Sequence, residues 1–315
     1  MRPTPSLFRL LAALPLFTVA AHAQTKPAPA IFEVDATKNF VNVMKNARPK
    51  IPTFTTLKPK PGFVRGWVKD SNGKPLQNAR LGVRSTSAGG FYSGAQGKTD
   101  AKGYYEIKVP WGAAHFYNAG YSIDYGDGRV ACGLHPADGE LDSFASANGS
   151  VENFVLLPYG IANPDKVQDQ PHYSGNYYGG YVHFDWNVAD ENPTWANPEY
   201  LPANAKIELT LTPTAPMQGG GTAPTFVVRK QLNTVFGNLN LLNLPITTYN
   251  IEAKIVGGGA LKMKETGPNG GSSFGIEPKE GASKVALQLR PSSAQAERAG
   301  AGMSNWDGIS VQLSR

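Results

Sequence analysis

The chain is 315 residues long, with 35 Gly, 25 Pro, a single Cys and a formal net charge of +6. Glycine and proline at that density exclude long helices, and a charge spread without a Lys/Arg block excludes a clustered nucleic-acid-binding face. Short apolar runs rich in Val, Ile, Tyr and Phe predict an all-β protein of about two domains at ~150 residues each.

The first stretch, "MRPTPSLFRLLAALPLFTVAAHAQ", has the three parts of an export signal. Arg2 and Arg9 give the positive region, residues 10–21 the apolar region, and Ala21-His22-Ala23 the cleavage site. The apolar run is shorter than the ~20 residues of a membrane span, so no transmembrane segment is expected. Removal of residues 1–23 would take away two arginines and no acid, lowering the charge from +6 to +4. The mature protein, beginning at or near Gln24, is expected to be secreted or periplasmic. No cysteine follows the cleavage site, so no lipid anchor is expected. Cys132 stands alone, which excludes an internal disulfide and reads as a small apolar strand residue.

Residues 24–60 read as a Pro-rich linker. Within it, "DATKNFVNVMKNARP" predicts a short helix or an unstructured tail. Asp35 would cap the helix, Phe40, Val43, Met44 and Ala47 would share a face, and Pro49 would stop it.

From Gly62 the period of the pattern is two. Strands are predicted at "FVRGWVKD", "ARLGVRST", "YYEIKVP", "HFYNAGYSIDY", "RVACGL" and "VENFVLLP", with Tyr105, Ile107 and Val109 on one face. Asn72-Gly73 and Lys102-Gly103 mark turns that favour positive φ. About seven such strands between residues 61 and 158 argue for a β-sandwich.

Two segments, "VRGWVKDSNGKPLQNARLGVRST" and "GKTDAKGYYEIKVPWG", carry a recurring pattern of strand and turn residues. It runs Val64, Gly66, Val68, then Asp70, Gly73, Pro75, Leu76, then Ala79, Val83, then Thr99, Asp100, Gly103, Tyr104, Pro110 and Gly112. In this it resembles the carboxypeptidase regulatory-like domain, a transthyretin-like (prealbumin-like) sandwich, over about residues 61–158. The resemblance implies that fold, a noncatalytic accessory role and no active site.

Residues 159–315 predict a second sandwich, transthyretin-like or immunoglobulin-like. Its strands are "YVHFDWNV", "KIELTLTP", "TFVVRK", "TYNIEAKIV", "ALKMKE", "KVALQLRP" and "GISVQLSR". Three segments echo the first domain: "LPANAKIELTLTP" against "LQNARLGVRSTS", "LNLPITTYNIEAKI" against the strand-and-Pro region, and "SKVALQLRP" against "VENFVLLP". A duplication and an unrelated sandwich both fit these echoes.

A zinc peptidase needs closely spaced His and Glu ligands, and His115, His135, His172 and His183 belong to no such pattern. Intradiol dioxygenases resemble the same sandwich and hold iron with two Tyr and two His. Tyr117, Tyr121, Tyr125 and His135 are the candidates here, but a second nearby His is missing. No G-x-S-x-G elbow is present. "TSAGGF" and "NGGSSF" lack the strand-to-helix setting of a phosphate or nucleophile loop. "DYGDG" (Asp124, Asp127) and "DGELD" (Asp138, Glu140, Asp142) read as solvated turns, with Ca²⁺ as the alternative. No metal and no cofactor is expected.

The aromatic tract 170–200 offers the remaining candidate site. Val182, Phe184, Trp186 and Val188 alternate into a core, whereas Tyr177, Tyr178 and Trp195 lie at or beyond the strand's ends and are expected to contact ligand. The expectation is therefore an exported noncatalytic module of the cell envelope, structural or binding a polysaccharide or envelope protein. The alternative is a secreted hydrolase whose catalytic residues lie in the second domain without a linear motif.

Overall fold

Alternation of apolar and polar side chains drives the architecture, because a strand buries one face and wets the other. In "FVRGWVKD", and in "KIELTLTP" as far as Leu211, every second residue is buried, as half-covered strands require. The computed structural model describes residues 27–315 apart from 88, 127, 190–196, 234–236, 268–272, 293–298 and 304–305. The segment read as an export signal lies outside the described residues. Among them no helix is long and apolar enough to cross a membrane.

Two strands precede the first sandwich, β1 (Ala30–Val34) and β2 (Phe40–Asn42). The sandwich itself contains β3 (Phe63–Asp70), β4 (Arg80–Thr86), β5 (Tyr92–Lys98), β6 (Tyr104–Lys108), β7 (Ala113–Tyr125), β8 (Gly128–Gly133), β9 (His135–Pro136), β10 (Phe144–Ala145), β11 (Ser150–Val151) and β12 (Phe154–Leu156). One sheet runs β10-β7-β4-β5 with β8 on β7, the other β11-β3-β12-β9 with β6 on β3. Phe116 of β7 meets Phe154 of β12 edge-on at 5.1 Å, where the two sheets face each other.

A short helix α1 (Pro164–Asp169) leads to the second sandwich: β13 (Gly180–Trp186), β14 (Lys206–Pro213), β15 (Phe226–Gln231), β16 (Asn238–Leu244), β17 (Thr248–Ile255), β18 (Lys262–Thr266), β19 (Gly275–Glu277), β20 (Lys284–Gln288), β21 (Arg290–Pro291), β22 (Trp306–Asp307) and β23 (Ile309–Ser314). Its sheets run β1-β15-β14-β17-β20-β19 and β18-β23-β13-β16-β2.

The pairing scheme of the first sandwich recurs in the second. β3 pairs antiparallel with β6 and parallel with β12; β13 pairs antiparallel with β16 and parallel with β23. β4 lies between β5 and β7; β14 lies between β15 and β17. Asn78 and Asn204, two residues before β4 and β14, both take the left-handed backbone, with φ of 67° and 60°. Two of the three sequence echoes therefore join equivalent strands. The third does not, because the counterpart of β12 is β23 rather than β20.

The segment read as a linker with a helix is neither along most of its length. Residues 35–47 contain no helix: Val41 and Val43 are buried at alternate positions, and β2 forms around the first of them. β1 pairs in parallel with β15, and β2 in parallel with β16, so this segment adds an edge strand to each sheet of the second sandwich. The burial of Val34, Val41 and Val43 holds it there. Residues 51–60 then lie along the first sandwich, where Arg65, Trp67 and Lys69 donate to the carbonyls of Lys58, Thr55 and Thr53.

The sandwiches abut through aromatic packing. Tyr125 stacks on Phe274 at 6.1 Å and meets Trp306 edge-on at 5.3 Å. Gly302 N–H donates to the Leu134 carbonyl, and one apolar core continues through both halves.

Candidate functional site

The outer face of β5, β4 and β7 carries the most prominent exposed aromatic surface among the described residues. Alternation on β4 sends Leu81, Val83 and Ser85 inward and leaves Gly82, Arg84 and Thr86 outward. The register aligns Tyr92, Thr86 and Ala113 in one row, and Gly94, Arg84 and His115 in the next. Tyr92 is 66% exposed, and the Arg84 guanidinium lies 4.9 Å from its ring centre. Arg84 Nη2 is 3.4 Å from His115 Nε2.

Gly82 is required for the third row. The Tyr117 ring lies across it, so that a Cβ on Gly82 would come within 2.6 Å of the ring. The Tyr117 hydroxyl accepts from Gln96 Nε2 at 2.6 Å, which fixes the ring against the sheet. Past the end of the strands, Trp111 is 71% exposed. With Thr86, Ala113, Phe144, Ala145 and Ala147 it lines an open, mostly apolar pocket of about 430 Å³. Phe91, beside Tyr92, is also open to solvent.

This face presents flat rings next to guanidinium, imidazole and amide groups. None of the side chains just named is a carboxylate. Rings of this kind stack on apolar faces while their polar neighbours hydrogen-bond hydroxyls, which suits reversible binding.

The sequence-predicted site residues are placed elsewhere. Tyr177 and Tyr178 are buried, which corrects the expectation that they stand as exposed rings at the end of the strand. The cause is local: a bridge between Ile161 and Tyr177, and a bond from Tyr178 N–H to the Gly160 carbonyl, fold this segment back on itself. The Tyr177 hydroxyl donates to the Pro171 carbonyl at 2.6 Å. The Tyr178 hydroxyl lies 3.0 Å from His135 Nδ1, and burial pushes its pKa up. Trp195 lies outside the described residues. Val182, Phe184 and Trp186 are core, as their alternation requires.

The remaining candidates are separated. Tyr117 bonds Gln96, Tyr125 packs on Phe274, and His135 contacts Tyr178, so these iron-ligand candidates serve different contacts. Burial, then the nearby Arg48 charge, lowers the His135 pKa to about 4, leaving a neutral ring. Burial raises the Cys132 thiol to about 12, which keeps it unreactive. Asp124 pairs with Arg129 at 3.3 Å, and Asp138 accepts from Glu140 N–H in a turn. Asp127 and most of "NGGSSF" lie outside the described residues. In the second sandwich His183 is held between Asp185 and Asn240, at 2.7 Å from each. Among the described residues, no three His, Cys, Asp or Glu side chains converge as a metal site.

The β5–β4–β7 face is not marked in the sequence because "FYSGAQGK", with Gly and Ser between its aromatic and basic ends, shows no apolar alternation that would delimit a strand. The available signal was Trp111, an indole between a proline and a glycine with no alternating partner to bury it.

No protein-family model and no curated protein matches this sequence. Solved structures similar to the chain include the Bacillus anthracis TIE protein, at 13% identity and TM-score 0.28, over 80% of this chain and 34% of that one. A streptococcal ancillary pilin is similar at 13% identity and TM-score 0.23, over 80% of this chain and 62% of that one. The shaft pilin SpaA from Lactobacillus rhamnosus GG is similar at 12% identity and TM-score 0.22, over 82% and 99%. The chain spans about a third of the TIE protein and under two thirds of the ancillary pilin. At such low scores none of the three bears on function.

Proposed function

We propose that this protein is an exported, noncatalytic module of the cell envelope that holds a polysaccharide on the outer face of β5, β4 and β7. One observation carries the reading: Tyr92 and Tyr117 expose their rings on one side of a sheet whose polar groups are Arg84, His115 and Gln96, and exposed Trp111 lines a pocket with Thr86 and Ala113 past the strand ends. A sugar ring offers an apolar face to a tyrosine or tryptophan and hydroxyls to a guanidinium, and it needs both on a rigid support. The export signal and the accessory role implied by the regulatory-like resemblance of residues 61–158 fit such a module. The test is a panel of envelope polysaccharides in affinity electrophoresis, with the mature wild type and the Tyr92→Ala/Trp111→Ala/Tyr117→Ala variant. Retardation of the wild type by at least one polysaccharide, lost in the variant at an unchanged melting temperature, is expected. Equal retardation of both proteins would remove this face as the site.

A further inference from the structure

A second groove, which shares no lining residue with the aromatic face, runs beside β2. It has a volume of about 400 Å³ and apolar walls that include Val41, Ile161, Val167, Pro171 and Tyr177. Among the described residues no carboxylate lines it, and two lysines do. Lys38 Nζ stands 5.0 Å from the centre of the Phe40 ring, and Lys45 Nζ 5.5 Å from that of Phe32. Both lysines are exposed, and among the described residues neither has a carboxylate partner. The rings hold the ammonium groups in place without neutralising them.

The backbone of β2 supplies an independent feature. Among the described residues β2 is the last strand of its sheet and pairs with β16 alone. Asn39 C=O and Val43 N–H bond β16, so by alternation Phe40 and Asn42 turn their backbone groups to the open side. Asn42 C=O is taken by Lys45 N–H, which leaves Phe40 N–H, Phe40 C=O and Asn42 N–H along the groove.

We propose that this groove binds an extended acidic peptide segment of a partner protein by adding it as a further strand beside β2. Main-chain bonds to Phe40 and Asn42 set the register, apolar side chains enter the groove, and carboxylates meet Lys38 and Lys45. The free strand edge favours a peptide over an acidic glycan, because a glycan has no alternating amide backbone to continue the sheet.

The mature protein is titrated at low salt with a fluorescent, acetylated and amidated Glu-Val-Glu-Val-Glu-Val-Glu peptide. Three comparison probes are its N-methylated form, the corresponding Lys-Val peptide and oligogalacturonate. Saturable binding of the acidic peptide is expected, weakened at least tenfold by N-methylation and at least tenfold by Lys38→Glu/Lys45→Glu. The Lys-Val peptide should not bind. Lys38→Ala/Lys45→Ala replaces the charge-reversed variant if the latter melts early, and should weaken binding severalfold. Absence of saturable binding to the wild type overturns the proposal, as does binding indifferent to N-methylation or to both lysine variants. Oligogalacturonate binding that the lysine variants abolish, with the peptide inert, would assign the groove to acidic glycans instead.

Discussion

Asp70 and Asp100 perform the same task at two turns of the first sandwich. Each carboxylate accepts the N–H two and four residues ahead, Asn72 and Lys74 in one case, Lys102 and Tyr104 in the other. The glycine three residues on has a φ of +86° at Gly73 and +75° at Gly103. Gly103 is also enclosed, since a Cβ there would lie 2.5 Å from the Val68 carbonyl oxygen. Gly103→Val should therefore cost more than the ~1–2 kcal/mol of the left-handed backbone alone. Gly73→Val, with no backbone group so close, should cost less. Urea denaturation of both variants checks the order; equal midpoints would show that the close approach is unimportant.

Glu152 and His135 bias the pH response in opposite senses. Burial, followed by the charges of Asp138 and Asp142, raises the Glu152 pKa to about 8. The folded state then keeps a proton that the unfolded chain releases above pH ~4.5, so this group's contribution declines as pH rises towards 8. His135, neutral in the fold down to about pH 4, works in the opposite sense: the unfolded chain gains a proton below pH ~6.5. The two trends oppose each other between those values, and above pH ~6.5 only the Glu152 decline remains. From pH 6.5 to 8 the wild type should lose about 1–2 kcal/mol, and Glu152→Gln should flatten that loss. Melting curves across this range test it; an unchanged slope in the variant would exclude Glu152 as the cause.

Most strands were legible because binary alternation reports a half-buried strand directly. β3 and β14 span the residues the pattern delimited. β16 escaped because in "NLNLLNL" asparagine, a poor strand former, occupies the partly open positions, and the adjacent Leu241–Leu242 breaks the alternation. β2 was masked by an accident of spacing. Phe40, Val43, Met44 and Ala47 satisfy a helical stripe, but the buried pair Val41 and Val43 obeys the strand period. The exposed aromatic face was illegible for another reason: Tyr92, Arg84 and His115 are brought together only by the register of three strands. Burial of Tyr177 and Tyr178 likewise depends on contacts with Ile161 and Gly160, which no local pattern encodes.

The repeated strand entry makes a prediction for both sandwiches. Asn78 in "QNAR" and Asn204 in "ANAK" adopt left-handed backbone that asparagine tolerates and alanine does not. Asn78→Ala and Asn204→Ala should each destabilise by about 1 kcal/mol, whereas the glycine replacements should stay within a few tenths. Differential scanning calorimetry of the four variants provides the check; alanine and glycine variants that melt alike would deny the shared role.

The N-terminal segment ties the two sandwiches into one body. Lys230, fully buried on β15, donates through Nζ to the carbonyls of Asp35 (2.6 Å) and Ala36 (3.1 Å). Its ammonium is thus solvated by the segment itself, and burial lowers its pKa. Lys230→Met keeps the apolar stem but removes both bonds, and should cost about 1–3 kcal/mol. A chain starting at residue 48 should lose more, because β1 and β2 go with it and the ammonium is left without those acceptors. Hydrogen exchange should then show β15 and β16 less protected and β4 unchanged. Equal protection in both sandwiches would mean that the segment contributes nothing to the second one.

That arrangement fixes an order of assembly. The strands of the first sandwich find all their partners between Phe63 and Leu156, and those contacts can form as soon as this stretch is free. The bonds from Lys230 to residues 35 and 36 close loops of 195 and 194 residues. The entropy of closing such loops must be met before the contacts repay it, which makes these among the slowest to form. A chain emerging from its N-terminus therefore carries β1 and β2 unpaired until β15 and β16 arrive, two bare edges in need of protection during the interval. Refolding should accordingly finish with the docking of β1 and β2.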